Sequence, residues 1–170
     1  MRKRKAPRPD GGIAVLLHAM DEAYDKRAWH GTGLKGSLRG VTAREASWRP
    51  APGRHNIREL AVHAAYWKYR VRRRLTGEKR GSFPIEGNNW FERSGDSESA
   101  WRSDRDLLER EHRALRRVVA NLPPGRLARR LAGTRGRTAL REIAGSALHD
   151  VYHTGQIQLL KALSRKRRVN

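Results

Sequence analysis

The chain has 170 residues, a length that suits one domain with a core needing no staple. It has no cysteine, which excludes disulfides and thiolate metal sites and leaves His, Asp and Glu as available metal ligands. The formal charge is +21, and no apolar run approaches the roughly 20 residues of a membrane span.

Residues 1–10, "MRKRKAPRPD", are basic and aperiodic and read as a flexible tail, with residues 11–170 forming a single domain. "MRKRK" before "IAVLLHAM" has the outline of a signal peptide. The apolar part is short, contains a histidine and meets no small-residue cleavage site, so a cytoplasmic protein is expected. Ile13, Leu16, Leu17, Met20, Ala23 and Tyr24 recur at helical spacing and predict a first helix over about 12–29, broken by "HGTGLKG". Residues 34–47 hold a short amphipathic piece followed by "TAREA", where Thr42 and Glu45 fit a capping box. Asn56 caps a second helix running to Gly77. Residues 77–97 form a long Gly, Ser and Asn-rich loop with aromatics, a kind of segment that is often functional. A third helix covers about 98–121 and stops at "NLPPG"; "GTRGR" suits a turn or small strand; a fourth helix runs from about 138 to 163. No repeat and no strand ladder is evident. The fold class is therefore all-α, a four-helix bundle with long inter-helix loops.

Arginine supplies 30 of the basic residues and lysine 8, spread over "RVRRR", "RALRR", "RLARR" and "SRKRRVN". This predicts non-specific binding to polyanions at low salt. No recognition motif accompanies the charge, and a basic nucleic-acid-binding module stands only as an alternative.

The chemistry concentrates in "ALHDVYHTGQIQLL", residues 147–160. At about 100° per residue, with His149 at zero, His153 falls near +40° and Gln156 near −20°. Tyr152, Leu159 and Leu148 fall between about −60° and −100°, Ile157 near +80°, and Asp150, Thr154, Gln158 and Lys161 on the other side. The pair is thus expected at the centre of the buried face, with Asp150 at the surface. On the second helix His63 faces inward with Trp67 and Leu60, while Lys68, Arg72 and Ala61 lie opposite. A buried ring without a partner costs about 1–3 kcal/mol. Two neutral imidazoles at i and i+4 suit a shared divalent ion, although the Glu of H-E-x-x-H is missing. A hydrogen-bonded histidine core is the alternative. His18, His30, His55 and His112 are not expected to be ligands, His18 being the one to check. Trp67 and Trp90 read as packing.

"ALHDVYHTGQIQLLK", with "AWHG", "ASWRPAPGRHNIRELAVHAAYWKYRV", "RRLTGEKRGSF" and "NNWF", resembles the DinB-like (DinB/YfiT) superfamily over residues 12–163. The resemblance implies a four-helix bundle in which one histidine of the second helix and two of the last hold a divalent metal, nickel or zinc among the candidates. Here these are His63, His149 and His153. It also implies a homodimer and a small-molecule substrate. Similar proteins include S-transferases that use low-molecular-weight thiols such as bacillithiol, mycothiol or glutathione. A metal-dependent transferase of this kind is the expected function, and a hydrolase using metal-activated water is a variant of it. A non-catalytic metal-binding stress or sensing bundle is the alternative. Gln156, Tyr152 and Arg70 are the candidates for supporting the ligands or touching substrate, and Arg70 with Arg74 could clamp a carboxylate.

Overall fold

The computed structural model describes residues 11–81, 83–123 and 125–167. The expected tail at 1–10 lies outside the described residues. Among the described residues there are six α-helices, a 3-10 turn at Arg126–Ala128 and no strand: α1 Gly11–Tyr24, α2 Leu34–Ser37, α3 Ala43–Ser47, α4 Ile57–Thr76, α5 Glu98–Ala120 and α6 Ala139–Lys166. The all-α class holds. The four long elements are the four helices expected, and α2 and α3 occupy the segment read as a short amphipathic piece.

The ends follow local chemistry. Thr42 and Glu45 cap α3 reciprocally. The side chains of Asn56, Ser97 and Thr138 accept the backbone N–H three residues on and start α4, α5 and α6. Gly77, at φ 79°, closes α4 in the left-handed region that glycine enters without a Cβ clash. The first helix ends at Tyr24 and not near 29, because Tyr24 is its last buried residue and Trp29 stands in solvent. "GTRGR" makes a turn, with one bridge pairing Arg130 and Thr138.

α4 packs on α5 and α6, and α1 on both of those helices. Two apolar clusters fill the interior. One gathers Tyr24, Leu34, Leu60, Trp101, Leu108 and Ile157; the other Ile13, Met20, Val71, Leu115, Val119 and Ile143. Trp101 is fully enclosed, its indole N–H donating to the Val41 carbonyl at 2.8 Å.

α4 is buried on nearly all sides, and this corrects the helix-wheel reading. Lys68, expected opposite the core, is buried and ion-paired with Asp150, expected at the surface and also buried. Thr154 is buried as well. The buried face of α6 runs from Leu160 and His153 through Asp150 and Ile157 to Ala147, its centre about 60° from where the wheel set it. Leu148, Tyr152 and Leu159 stand outside, exposed by 70%, 64% and 60%. The buried lysine explains the rotation: a paired charge inside lets a carboxylate occupy the face that hydropathy assigns to leucine.

A charged network fixes the loop at Arg93, Ser94 and Gly95 over α4. Buried Arg58 pairs with Asp104 of α5 and donates to the Ser94 carbonyl at 2.7 Å. Arg93 binds the other oxygen of Asp104, and the Asn56 amide donates to the Arg93 carbonyl at 2.7 Å. This clamp sets the position of Asn89 and Trp90 above the middle of α4.

Candidate metal centre

His63 stands mid-way along α4, and His149 and His153 one turn apart on α6. The tertiary fold brings the three rings together. His149 Nε2 lies 3.1 Å from His63 Nε2 and 3.0 Å from His153 Nε2. One nitrogen from each ring falls within 4.8 Å of the others, a group that could hold a metal ion. His63 and His153 are buried and His149 is half-buried, so the pair sits at the edge of the buried face of α6 and not at its centre.

The opposite ring nitrogens of His63 and His153 are committed. His63 Nδ1–H donates to the Asn89 carbonyl at 2.8 Å, and His153 Nδ1–H to the Gln156 amide oxygen at 2.6 Å. A carbonyl oxygen only accepts, so the proton of neutral His63 sits on Nδ1 and its Nε2 presents a lone pair. This is the supporting pattern of ligating histidines. Tetrahedral ligands at the usual zinc–nitrogen length of about 2.0–2.1 Å stand about 3.3 Å apart, close to the spacing here. The donor set therefore fits a divalent ion of the zinc or nickel type.

Burial holds the rings neutral. It lowers the pKa of His63 to about 4 and that of His149 to about 3, and it lowers that of His153 in the same direction. For metal-free protein the consequence has a definite sign. In the unfolded chain these imidazoles protonate near pH 6.5, while in the folded chain they stay neutral to lower pH. Their contribution is fully present above pH 6.5 and is lost as pH falls toward 4. Chelated protein should lose up to about 1.4 kcal/mol per pH unit for each such histidine across that window. Urea unfolding at several pH values checks this, and His63→Gln should flatten the slope.

Trp90 stacks on His63 with ring centroids 3.8 Å apart and carries His55 on its other face at 3.6 Å. Trp67 meets His63 edge-on, and its indole N–H donates to the Asn89 side-chain oxygen at 3.0 Å. Asn89 thus serves both rings from a left-handed conformation, φ 65°, which asparagine tolerates better than most residues. It was not singled out from sequence; an Asn pair in a Gly-rich loop was the available signal.

Gln156 supports His153. Tyr152 touches His153 edge-on at 5.1 Å but stands on the outer face of α6. Arg70 does not reach the triad; its guanidinium lies 4.8 Å over the Trp67 ring. His18 is exposed beside Glu22, and His30 is exposed. His55 pairs with Glu59, and buried His112 stacks on Tyr24. None of these four joins the triad.

A cavity of about 510 Å³ opens beside the centre. His63 and His149 form part of its wall, with Trp67, Val71, Arg137 and Glu142. Glu142 is buried and binds both Arg74, at 2.5 Å, and Arg137, at 2.9 Å.

A helical protein in which two packed helices, α4 and α6, bring three buried or half-buried histidines to one point belongs to a class defined by its fold and its donor set together. The model of the DinB superfamily matches residues 27–157, and the chain belongs to that superfamily. No curated protein and no solved structure matches the chain.

Proposed function

We propose that the protein is a divalent-metal-dependent enzyme acting on a small molecule, of the thiol S-transferase kind. The observation that carries this reading is the convergence of His63, His149 and His153, the first two in the wall of an open cavity, in place of a closed four-ligand set. A bound divalent ion would lower the pKa of a thiol or water that reached it. The chain has no cysteine, so a thiol nucleophile must come from a cosubstrate. In this reading the chain holds the rings in their ligating tautomers through Asn89 and Gln156. Trp67 and Val71 supply an apolar wall that limits water. The absence of cysteine also supports a reducing, cytoplasmic setting.

A homodimer belongs to the same proposal. Leu148, Tyr152, Leu159 and Leu163 form an exposed apolar stripe along α6, a surface that a second copy would cover.

The test is conjugation of an electrophile with several low-molecular-weight thiols by zinc- or nickel-loaded protein, with His149→Ala as the control. Metal-dependent turnover lost in the variant supports the reading. Stoichiometric metal without turnover for any thiol or for ester hydrolysis would leave a non-catalytic metal-binding bundle. Light scattering on the same sample should give the mass of two chains.

A further inference from the structure

A second hollow, of about 470 Å³, adjoins the cavity beside the histidines. Its wall includes Arg70, Arg74, Arg135, Arg137 and Arg141, and no carboxylate. Arg137 and Arg141 also line the first cavity, so the two hollows share a wall. Glu142 neutralises only part of this charge, through Arg74 and Arg137. Among the described residues, no carboxylate lies within ion-pair distance of Arg70, Arg135 or Arg141.

A chain of charge +21 places arginines in many hollows, so number alone decides nothing. Compensation separates this hollow from the others. The one that holds Arg73 and Arg80 has Glu86 in its wall, and the one that holds Arg102 and Arg105 has Asp106 and Glu109. Like charges crowded together without counter-charge cost free energy that a bound anion relieves.

The local backbone is set for this arrangement. Thr134 is buried, its hydroxyl donating to the Leu131 carbonyl at 2.6 Å. Arg137 Nε donates to the Thr134 carbonyl at 3.0 Å and closes the turn. Between them Arg135 sits at φ 55°, a left-handed conformation that few non-glycine residues adopt. Arg70 is steadied from the other side by the Trp67 ring. Burial and the nearby Arg74 also lower the pKa of Arg70.

We propose that this arginine chamber binds an oxyanion, a carboxylate or phosphate group, carried by the small molecule whose reacting end faces the histidines. The inference rests on the proposed metal-dependent function for the second half of that statement and on the chamber alone for the first. Guanidinium forks suit both oxyanions, which they grip through paired N–H donors.

The experiment has two arms, run at about 0.15 M salt to screen diffuse surface charge. In the first, metal-free protein is titrated with inorganic phosphate and with succinate, which distinguishes the two oxyanions. Wild type should bind at least one of them, and Arg135→Gln or Arg141→Gln should weaken binding about tenfold or more. Arg102→Gln, in the compensated hollow, should leave it unchanged. In the second arm, zinc-loaded protein is titrated with mercaptosuccinate and with uncharged mercaptoethanol. The dicarboxylate thiol should bind at least about tenfold tighter, and the Arg135→Gln/Arg141→Gln double variant should erase the difference. Both arginines are exposed, and neither lies within ion-pair distance of a carboxylate among the described residues, so these variants should fold; circular dichroism and retained zinc binding check that. Protein that binds zinc but neither anion overturns the chamber and leaves the metal reading intact. Equal loss in Arg102→Gln overturns it too, by assigning the binding to diffuse charge. Arginine-dependent anion binding without zinc binding would uphold the chamber and sink the metal reading.

Discussion

Asp150→Ala should cost about 3–5 kcal/mol of folding stability, because it leaves the Lys68 ammonium buried without its partner. Lys68→Ala should cost a similar amount by stranding the carboxylate. Burial already pushes the Asp150 carboxyl up while Lys68 opposes that push, and one of its oxygens has no hydrogen-bond partner. Total stabilities of about 5–15 kcal/mol make such a loss close to unfolding, with a Tm lower by about 6–20 °C. The combined variant Lys68→Met/Asp150→Leu should recover most of the loss, since the apolar pair fills the space without a charge to desolvate. Urea unfolding of the three variants measures this. A double variant as unstable as the singles would mean that the pair is net stabilising and not merely costly to break.

Replacing His63, His149 or His153 with alanine should abolish tight metal binding, and Gln156→Ala should weaken it about 10–100-fold by releasing the His153 ring. The grading follows from position: three residues would donate to the ion, and Gln156 orients one of the donors. Metal that binds only the folded state adds RT ln(1 + [L]/Kd), about 2.7 kcal/mol at a hundredfold excess over Kd. Chelation should therefore lower the Tm of wild type and leave His149→Ala unmoved. His30→Ala should behave as wild type. His112→Ala should lose stability, since its ring stacks on Tyr24, yet keep metal binding.

The His149 and His153 pair was legible in sequence because its signal is short-range, and His63 joined it through the family resemblance. Two histidines at i and i+4 must share a helix face, and a third inward histidine completes a set already recognisable as a family pattern. Helix ends were legible for the same reason: Thr42, Asn56 and Gly77 act on their own neighbours. What escaped was long-range. Lys68 and Asp150 are 82 positions apart, and each reads as a surface residue until the other is placed beside it. The error propagated to α6, where hydropathy counted Leu148 and Leu159 as buried and set the face about 60° away. Asn89 escaped because its contribution to His63 is a backbone carbonyl, which no side-chain pattern reports. The arginine chamber was half visible: Arg70 and Arg74 continue the His63 face, but Arg135, Arg137 and Arg141 arrive from a loop and another helix.

Calorimetric titration of chelator-stripped protein with zinc and with nickel near neutral pH decides whether His63, His149 and His153 form one metal site. One ion per chain, a raised Tm on binding, and loss of both effects in His149→Ala are the expected results. Wild-type protein that takes up neither ion and gains no stability from them would contradict a shared metal site, and the three rings would then be a hydrogen-bonded cluster in the core.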